Sequence, residues 1–404
     1  MKSIYIYTND ERFLYMPLYQ VPVLTPDDIA VVEMINDLRQ RLRHYIQSNP
    51  QRWSGMLRRS TMARAIQGSN SIEGYHATMD DAIAAVDDEE PMDANEETWR
   101  EIIGYRNAMT YILQLSEDGQ FEYHPQLIRS LHFMMLQHSL KKMPGRWRPG
   151  DIYVVNEATE ERVYEGPDAL AVPRLIDELM DYLNASTDCP VVVKAAMAHL
   201  NFTMIHPFKD GNGRMARALQ TLVLSRDGII SPIFSSIEEW LGRNTPAYYE
   251  ILAQVGKGAW HPENDALAWV QFCLRAHFQQ AQTIEKRNEW FGKIYNEISR
   301  IATVNHLNER MNIALMDGAL GHRVRAGQYR VENELSDVVA SRDLKKLCDA
   351  ELLIPHGERR GRFYTGSKSL QEIAQRTKIS GRADDPYELL RERQEGEASP
   401  QLPL

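Results

Sequence analysis

The segment 206–217 of this chain places a histidine, an acid, a small-residue turn and two arginines within one loop and the helix that follows it. Gly211 and Gly213 favour a tight turn with accessible backbone N–H groups, because glycine adopts positive φ and lets a ligand approach closely. Those N–H groups lie at a helix N-terminus, where the helix dipole and the unpaired donors favour an anion. The segment therefore predicts a phosphate-binding loop that leads into a helix.

The charged side chains of this segment are of the types that phosphate chemistry uses. Arg214 and Arg217 share one helix face, from which their guanidinium groups can hold phosphate oxygens. Asp210 precedes the turn and can hold a divalent cation that bridges phosphates. His206 can take up a proton near pH 7 and is the candidate general base. Each feature alone has an ordinary interpretation as a packed histidine, a common turn or a solvated helix face, but their combination is much rarer.

The segment resembles the signature of the Fic family, His-x-Phe-x-Asp/Glu-Gly-Asn-Gly-Arg-x-x-Arg, at every fixed position. The resemblance extends upstream through the apolar helix 194–205, on which His199 is expected to be a core residue. It implies a mainly α-helical bundle with a β-hairpin flap. It also implies an enzyme that transfers AMP from ATP to a Ser, Thr or Tyr hydroxyl of a target protein, with self-modification and release of pyrophosphate. The matching residues are His206, Phe208, Asp210, Gly211, Asn212, Gly213, Arg214 and Arg217.

The resemblance also implies a role for each matched residue. His206 takes the proton from the target hydroxyl, Asp210 binds Mg²⁺ at the α- and β-phosphates, and Phe208 anchors the loop. The intact Gly-Asn-Gly turn favours AMP as the transferred group, with ATP and Mg²⁺ as cofactors. Tyr249 follows a helix start at Pro246 and is either an adenine-side contact or a core residue. The residues expected to contact ATP are Gly211, Asn212, Gly213, Arg214, Arg217 and Tyr249.

A second stretch, residues 69–74, resembles the inhibitory motif of Fic proteins, Ser/Thr-x-x-x-Glu-Gly/Asn. It begins at Ser69 and closes a helix predicted at about 56–74. Glu73 would pair with Arg217, a charge-assisted contact that is strong and directional, and would displace the γ-phosphate of ATP. Gly74 is also the residue type expected just past a helix C-terminus, which is compatible with the inhibitory role.

Two short β-rich runs follow the turn residues 144–150 and are separated by a polar linker at 157–161. Runs of this kind predict a β-hairpin. By the family resemblance this hairpin is the flap, at about 151–164, on which the target segment docks as an added strand. A surface hairpin without that role is the alternative.

The C-terminal part changes character near residue 302. Residues 336–347 predict a recognition helix, and residues 352–364 predict a strand, a basic turn and a strand, which together resemble a winged helix. Its small surplus of basic residues is compatible with DNA or with a docked protein. The predicted organisation is an N-terminal helical region at 1–96, a Fic catalytic domain at 97–301, a winged-helix-like domain at 302–375 and a disordered tail at 376–404, with an acidic loop within 80–95.

Composition limits the remaining classes. The net charge of −10 argues against nucleic-acid binding by the whole chain, and no apolar run is long enough for a membrane span. The N-terminus lacks the pattern of a signal peptide, and three widely spaced cysteines predict no disulfide framework, so a cytoplasmic protein is expected. Two other functions stay open: hydrolysis of an AMP–protein bond with Glu73 orienting a water, and a DNA-binding regulator whose Fic site senses nucleotide.

Overall fold

The computed structural model describes residues 18–48, 51–155, 160–228, 230–358 and 361–398. Helices make up most of this structure, which confirms the mainly helical fold class. No described helix is long and apolar enough to cross a membrane. In chain order the α-helices are α1 Pro26–Ser48, α2 Gln51–Ile72, α3 Met79–Val86, α4 Glu96–Leu115, α5 Pro125–Leu136, α6 Val172–Asn184, α7 Val191–Ile205, α8 Asn212–Leu224, α9 Glu238–Arg243, α10 Thr245–Gly256, α11 Leu267–Val304, α12 Asn312–Leu320, α13 Ala326–Glu332, α14 Asp337–Asp349, α15 Lys368–Thr377 and α16 Pro386–Ala398.

Helix α7 is the centre of the bundle. Nearly all of its residues are buried, and it packs against α6, α8 and α11. A helix that is apolar on every face is stable only when neighbours cover every face. This central position fixes the end of α7, where the loop 206–211 begins.

The helix α2, predicted at about 56–74, lies against α9, α3, α4 and α11. Helices α2 and α9 pack closely at two glycines, because a Cβ on Gly242 would lie 2.7 Å from the Cα of Gly68. The helix ends at Ile72, so Glu73 and Gly74 lie just beyond it. Gly74 has φ +84°, as expected for the residue past a helix end.

The acidic stretch 80–95 was expected to contain a loop, and the structure makes its first part helical. Thr78 caps α3 by accepting a hydrogen bond from the N–H of Asp81 at 3.1 Å. Asp81 in turn accepts hydrogen bonds from the N–H groups of Met92 and Asp93 at 2.8 and 3.1 Å. The buried Asp81 carboxylate therefore holds the acidic loop at Met92 and Asp93 against the start of α3.

The β-hairpin consists of β1 Tyr153–Val155 and β2 Arg162–Glu165, which pair antiparallel. Tyr153 lies opposite Glu165 in the register. Residues 156–159, most of the hairpin's connection and the start of the predicted linker, lie outside the described residues. The hairpin itself matches the prediction for this stretch.

After α11 the chain forms a small unit that contains a three-stranded antiparallel sheet, β3 Val324–Arg325, β4 Leu353–His356 and β5 Phe363–Gly366, in the order β3-β5-β4. The elements follow one another as helix, strand, two helices and two strands. That order is compatible with the expected winged helix, which stays a prediction. Residues 359–360, at the basic turn, lie outside the described part.

The prediction of a disordered tail at 376–404 is wrong for the residues that the structure describes. Helix α16 packs against α1 and α11. The hydroxyl of Tyr387 donates a hydrogen bond to Asp28 at 2.9 Å, and Arg275 pairs with Asp385 at 2.5 Å. The Pro-rich, charged composition of the tail did not indicate that this segment forms a helix packed against two others. Residues 399–404 lie outside the description.

Candidate active site

The loop that follows α7 begins with an unusual backbone conformation. His206 has φ 51°, in the left-handed region, and its N–H donates to the carbonyl of Phe202 at 3.1 Å. Gly211 has φ 78°, and a Cβ there would lie 2.9 Å from the Cδ1 atom of Leu136. The positive φ therefore favours glycine at this position, whereas the tip of the Leu136 side chain could move to admit a Cβ. These two turns connect the end of α7 to the N-terminus of α8.

Phe208 anchors the loop in the core. Its ring is fully buried and stacks on His132, with ring centroids 3.6 Å apart and planes inclined by 4°. The side chain of Asn212 clamps the backbone of Phe208, accepting from its N–H at 2.9 Å and donating to its carbonyl at 2.8 Å. Asn212 thus contributes its side chain to the loop itself, and only its backbone N–H faces the predicted phosphate position.

His132 is a loop-supporting residue that the sequence analysis missed. Its Nδ1 accepts from the N–H of Gly145 at 2.8 Å, so its Nε2 carries the proton and donates to the carbonyl of Asp210 at 2.9 Å. Burial lowers the pKa of His132 to about 4, which keeps this neutral tautomer in place. No local motif marks this histidine, because its partners lie far away in the chain.

The imidazole of His206 is neutral in this environment. Its Nδ1 lies 3.2 Å from the carbonyl of Thr203 and donates to it, which leaves Nε2 as the unprotonated nitrogen. Burial, reinforced by the positive charge of Arg148, lowers the pKa of His206 to about 4. A neutral histidine with an available Nε2 can accept a proton at pH 7.

Arg148 joins the base of the hairpin to the loop and was also missed from sequence. Its Nε donates to the carbonyl of His206 at 2.9 Å, and its backbone N–H donates to the carbonyl of Pro207 at 2.9 Å. Its other guanidinium nitrogens donate to the carbonyls of Gly150 and Pro167. One buried side chain therefore holds the loop and both flanks of the hairpin in a fixed relation.

Arg217 is held by the end of α2. Its Nε donates to the hydroxyl of Ser69 at 2.8 Å, and its Nη2 donates to the Ser69 carbonyl at 2.9 Å and to Glu73 Oε1 at 2.6 Å. Arg217 is 1% exposed and Glu73 is 25% exposed. The expected ion pair is present, but through one guanidinium nitrogen. Ser69 binds Nε and shares Nη2, and Nη1 is buried without a hydrogen-bond partner among the described residues.

The Glu73 carboxylate also lies against the first turn of α8. A Cβ on Gly213 would be 2.5 Å from Glu73 Oε1, so the carboxylate touches the backbone there. The first N–H groups of a helix lack intrahelical partners and attract anions. Glu73 therefore occupies the place where the sequence predicts a phosphate group.

Arg214 and Asp210 belong to a second ionic network. Arg214 is buried, bonds to Glu101 and lies 5.4 Å from the ring centroid of Tyr75. Lys142 bridges Glu101 at 2.5 Å and Asp210 at 2.9 Å. Burial would raise the pKa of Glu101, but the two cations outweigh it and hold that pKa at about 2. The sequence analysis identified neither Glu101 nor Lys142.

Asp210 is the candidate metal ligand. Its side chain is 37% exposed, and its Oδ1 accepts from the N–H of Gly211 at 2.6 Å. Among the described residues there is no group of three or more His, Cys, Asp or Glu side chains that could hold a metal ion. A single accessible carboxylate fits Mg²⁺ when phosphate oxygens and waters complete its coordination.

Tyr249 contacts the end of α2. Its hydroxyl donates to the carbonyl of Ile72, the last residue of α2, at 3.1 Å. The neighbouring Tyr248 is buried and bonds to Nε2 of His199 at 2.9 Å, and His199 bonds to Gln220 at 2.6 Å. His199 is therefore a core residue, as expected. A role of Tyr249 in binding adenine stays a prediction.

The segment that carries this site, residues 122–224, matches the profile of the Fic/DOC family. The chain contains a Fic domain. The matched segment runs from just before α5 to the end of α8, so it includes the hairpin, His206, Arg214 and Arg217. Ser69 and Glu73 precede the Fic domain in the chain.

Curated relatives of the Fic domain are named protein adenylyltransferases. A probable adenylyltransferase of Aquifex aeolicus is 24% identical over 216 residues, 52% of this chain and 61% of that protein. The adenylyltransferase Fic of Drosophila willistoni is 37% identical over 130 residues, 32% of this chain and 24% of that protein. The chain thus spans less than two thirds of the length of these relatives.

Solved structures share the fold. A Fic family protein from Desulfovibrio desulfuricans superimposes with a TM-score of 0.54 and 23% identity, covering 87% of this chain and 99% of the other. Fic-1 from Caenorhabditis elegans superimposes with a TM-score of 0.51 and 21% identity, covering 64% and 71% respectively. The similarity extends beyond the Fic domain to most of the helices around it.

Proposed function

We propose that this protein transfers AMP from ATP to a hydroxyl side chain of a target protein, and that Glu73 holds it in a state of low activity. The observation that carries the proposal is the neutral His206 beside a helix N-terminus with two arginines. The adenylyltransferase names of the relatives support the donor and the reaction class.

In this reaction His206 acts as the general base. Its Nε2 accepts the proton of the target hydroxyl while the hydroxyl oxygen attacks the α-phosphorus of ATP. The bond from the α-phosphorus to the oxygen that bridges the β-phosphate breaks, and pyrophosphate leaves. The Thr203 carbonyl orients the ring through Nδ1 and favours the imidazolium that forms.

The phosphates of ATP would lie at the first turn of α8. The N–H groups of Asn212 and Gly213 face that position, and Arg214 and Arg217 supply positive charge beside it. Asp210 would hold Mg²⁺ after release from Lys142. When bound, the ion neutralises phosphate charge as the leaving group departs.

The target segment would dock on the hairpin. Within the described residues β1 pairs only with β2, whereas β2 also contacts Ala259 through Glu165. The outer edge of β1 therefore has backbone groups available for an added strand. Arg148 places this edge at a fixed position relative to His206.

Self-inhibition follows from competition for one position. The γ-phosphate of ATP and the Glu73 carboxylate are both anions suited to Arg217 and the N-terminus of α8. While Glu73 is in place, ATP binds with its γ-phosphate displaced and its α-phosphorus misaligned for attack. A misplacement of about 1 Å can lower the rate roughly a hundredfold.

The test is AMP transfer from ATP labelled at the α-phosphate, to the protein itself and to proteins of a cell lysate. We expect little transfer by wild type, a large increase in Glu73→Gly, and a loss of about a hundred- to ten-thousandfold when His206→Ala is added. ATP affinity should survive His206→Ala. The matched control is His124→Ala, at an exposed histidine outside the loop.

Two outcomes would contradict the proposal. Equal AMP transfer by wild type and Glu73→Gly would disprove self-inhibition by Glu73. AMP transfer that survives His206→Ala would show that His206 is not the general base. Faster removal of AMP from a modified target by wild type than by Glu73→Gly would instead assign Glu73 to hydrolysis.

A further inference from the structure

A cavity of about 230 Å³ lies between α2 and α9. Its lining includes Arg64, Gln67 and Ser71 from α2, and Glu239 and Arg243 from α9. Residues two apart on a helix point about 200° away from each other, so Gln67 and Ser71 face away from Ser69. The cavity is therefore on the opposite side of α2 from Arg217 and from the loop 206–211, called the Fic loop below.

Positive charge exceeds negative charge around this cavity. Glu239 pairs with Arg287 at 2.6 Å and also with Arg243, and Arg64 Nη1 lies 3.9 Å from the same Oε1 atom. Three guanidinium groups thus surround one carboxylate. The positive charge that Glu239 does not neutralise needs an anion or solvent to balance it.

Two of these guanidinium groups have buried nitrogens without a hydrogen-bond partner in the part of the chain that the structure describes. They are Arg64 Nε and Arg287 Nη1. Burial and then the charge of Arg287 lower the pKa of Arg64 to about 10. Arg64 is therefore held among repelling cations, and its Nε lacks, among the described residues, the hydrogen bond that would offset its burial.

We propose that this cavity binds a small dianion of the phosphate type, with inorganic phosphate as its simplest form. A guanidinium presents paired N–H donors that match tetrahedral oxyanions, and Arg64 and Arg243 approach the cavity from two helices. The bound anion completes the charge balance that Glu239 supplies only in part. It contacts neither Arg217 nor the Fic loop.

The site bears on regulation because its ligand bridges α2 and α9. These helices already meet at Gly68 and Gly242, and an anion between Arg64 and Arg243 adds an ionic connection. Helix α2 leads directly to Glu73. Phosphate in the cavity thus favours the inhibited arrangement, a consequence that rests on the proposed function, whereas the binding itself does not.

The experiment is calorimetric titration of the full chain with inorganic phosphate at constant ionic strength. Arg64→Gln and Arg243→Gln should each weaken phosphate binding at least about tenfold, since each removes a charge-assisted contact. The matched control is Arg100→Gln, because Arg100 and Arg243 are both 54% exposed and each pairs with a glutamate four residues earlier. Arg217→Ala should leave phosphate binding unchanged.

Several results would overturn the inference. One is the absence of phosphate binding by the wild type up to about 10 mM. Another is the same phosphate affinity in all three of wild type, Arg64→Gln and Arg243→Gln. A third is a loss of phosphate binding in Arg217→Ala alone. The last would place the phosphate in the Fic loop. AMP transfer by wild type should fall on adding phosphate, and Arg243→Gln should abolish that dependence. If no AMP transfer occurs, the proposed function fails while the titration still decides the binding site.

Discussion

His206 combines a left-handed backbone conformation with a neutral ring. The conformation costs about 1–2 kcal/mol for a residue with a Cβ, and the bonds from Arg148 to the carbonyl of His206 and to the hairpin hold it. The same arginine places a positive charge beside the imidazole. Arg148 therefore contributes to both the backbone geometry and the low pKa of His206, although burial is the larger cause of the low pKa.

The low pKa of His206 predicts the pH profile of AMP transfer. In Glu73→Gly protein the acid limb of kcat/KM attributable to His206 should lie near pH 4, because burial and Arg148 disfavour the charged ring. Transfer should be independent of this group between about pH 5.5 and 8. An NMR titration of the His206 ring checks the assignment, and a midpoint near 6.5 would contradict it.

At the scale of elements, the end of α2 contacts α8 and binds the side chain of Arg217. Ser69 provides two of the bonds to Arg217 and Glu73 provides one. Ser69 therefore sets where Arg217 lies, and Glu73 supplies the negative charge at Gly213. These are separable contributions from one helix end.

This division predicts the behaviour of a double variant. Glu73→Gly frees the first turn of α8 and should raise AMP transfer, whereas Glu73→Gly with Arg217→Ala should lose most of the gain. The reason is that Arg217, without Glu73 as its ion-pair partner, can hold the γ-phosphate in line although Ser69 still binds it. The measurement is the rate of self-modification at saturating ATP. A double variant as active as Glu73→Gly would assign the gain to the removal of the carboxylate alone.

Helix α9 contains a buried glutamate, Glu238, close to the contact between α2 and α8. Glu238 Oε1 accepts hydrogen bonds from Tyr105 at 3.1 Å and Thr221 at 3.0 Å. Burial raises the pKa of Glu238 to about 7, against which these bonds act only partly. The folded protein therefore keeps a proton that the unfolded chain releases.

The raised pKa predicts a pH-dependent loss of stability. Between the ordinary value of 4.5 and about 7 the folded state binds more protons, so the free energy of unfolding decreases as pH rises through this window. Glu238→Gln keeps the acceptor and removes the titration. Relative to wild type, it should gain up to about 3 kcal/mol between pH 4.5 and 8 in urea unfolding. Parallel pH dependences of the two proteins would disprove the raised pKa.

At the scale of the whole molecule, ion pairs join α2 and the acidic loop to the C-terminal unit. Arg59 of α2 pairs with Asp87 at 2.7 Å and with Asp317 of α12 at 3.0 Å. Arg323 pairs with Asp93 at 3.0 Å, and Arg325 pairs with Glu89 at 3.1 Å. The segment from α2 to the acidic loop therefore lies between the Fic domain and the C-terminal unit.

Arg59 is the buried member of this interface, which predicts a large effect on stability. Arg59→Ala leaves Asp87 and Asp317 without their shared cation and should lower the free energy of unfolding by about 3–5 kcal/mol. Arg58→Ala, at the exposed neighbouring residue, should change it by less than about 1 kcal/mol. Urea unfolding of both variants measures the difference. Similar losses in both would mean that the buried ion pairs contribute little.

Local sequence patterns were sufficient for the helical fold class, the hairpin and the loop at 206–217, whereas the pairing of Glu73 with Arg217, 144 positions apart, was an implication of the family resemblance. The first three features depend on residue types at short fixed spacings, such as the glycines around Asn212. Spacing of that kind sets backbone conformation and side-chain chemistry directly.

Only the tertiary structure decided which distant residues complete the site. Glu101 meets Arg214 across 113 positions of the chain, and His132 meets Asp210 across 78. Helix α16 likewise packs against α1 and α11, and its own composition does not indicate this packing. Local patterns carry no information on such contacts, because burial and pKa are set by whichever elements pack together, and that packing is a property of the whole chain.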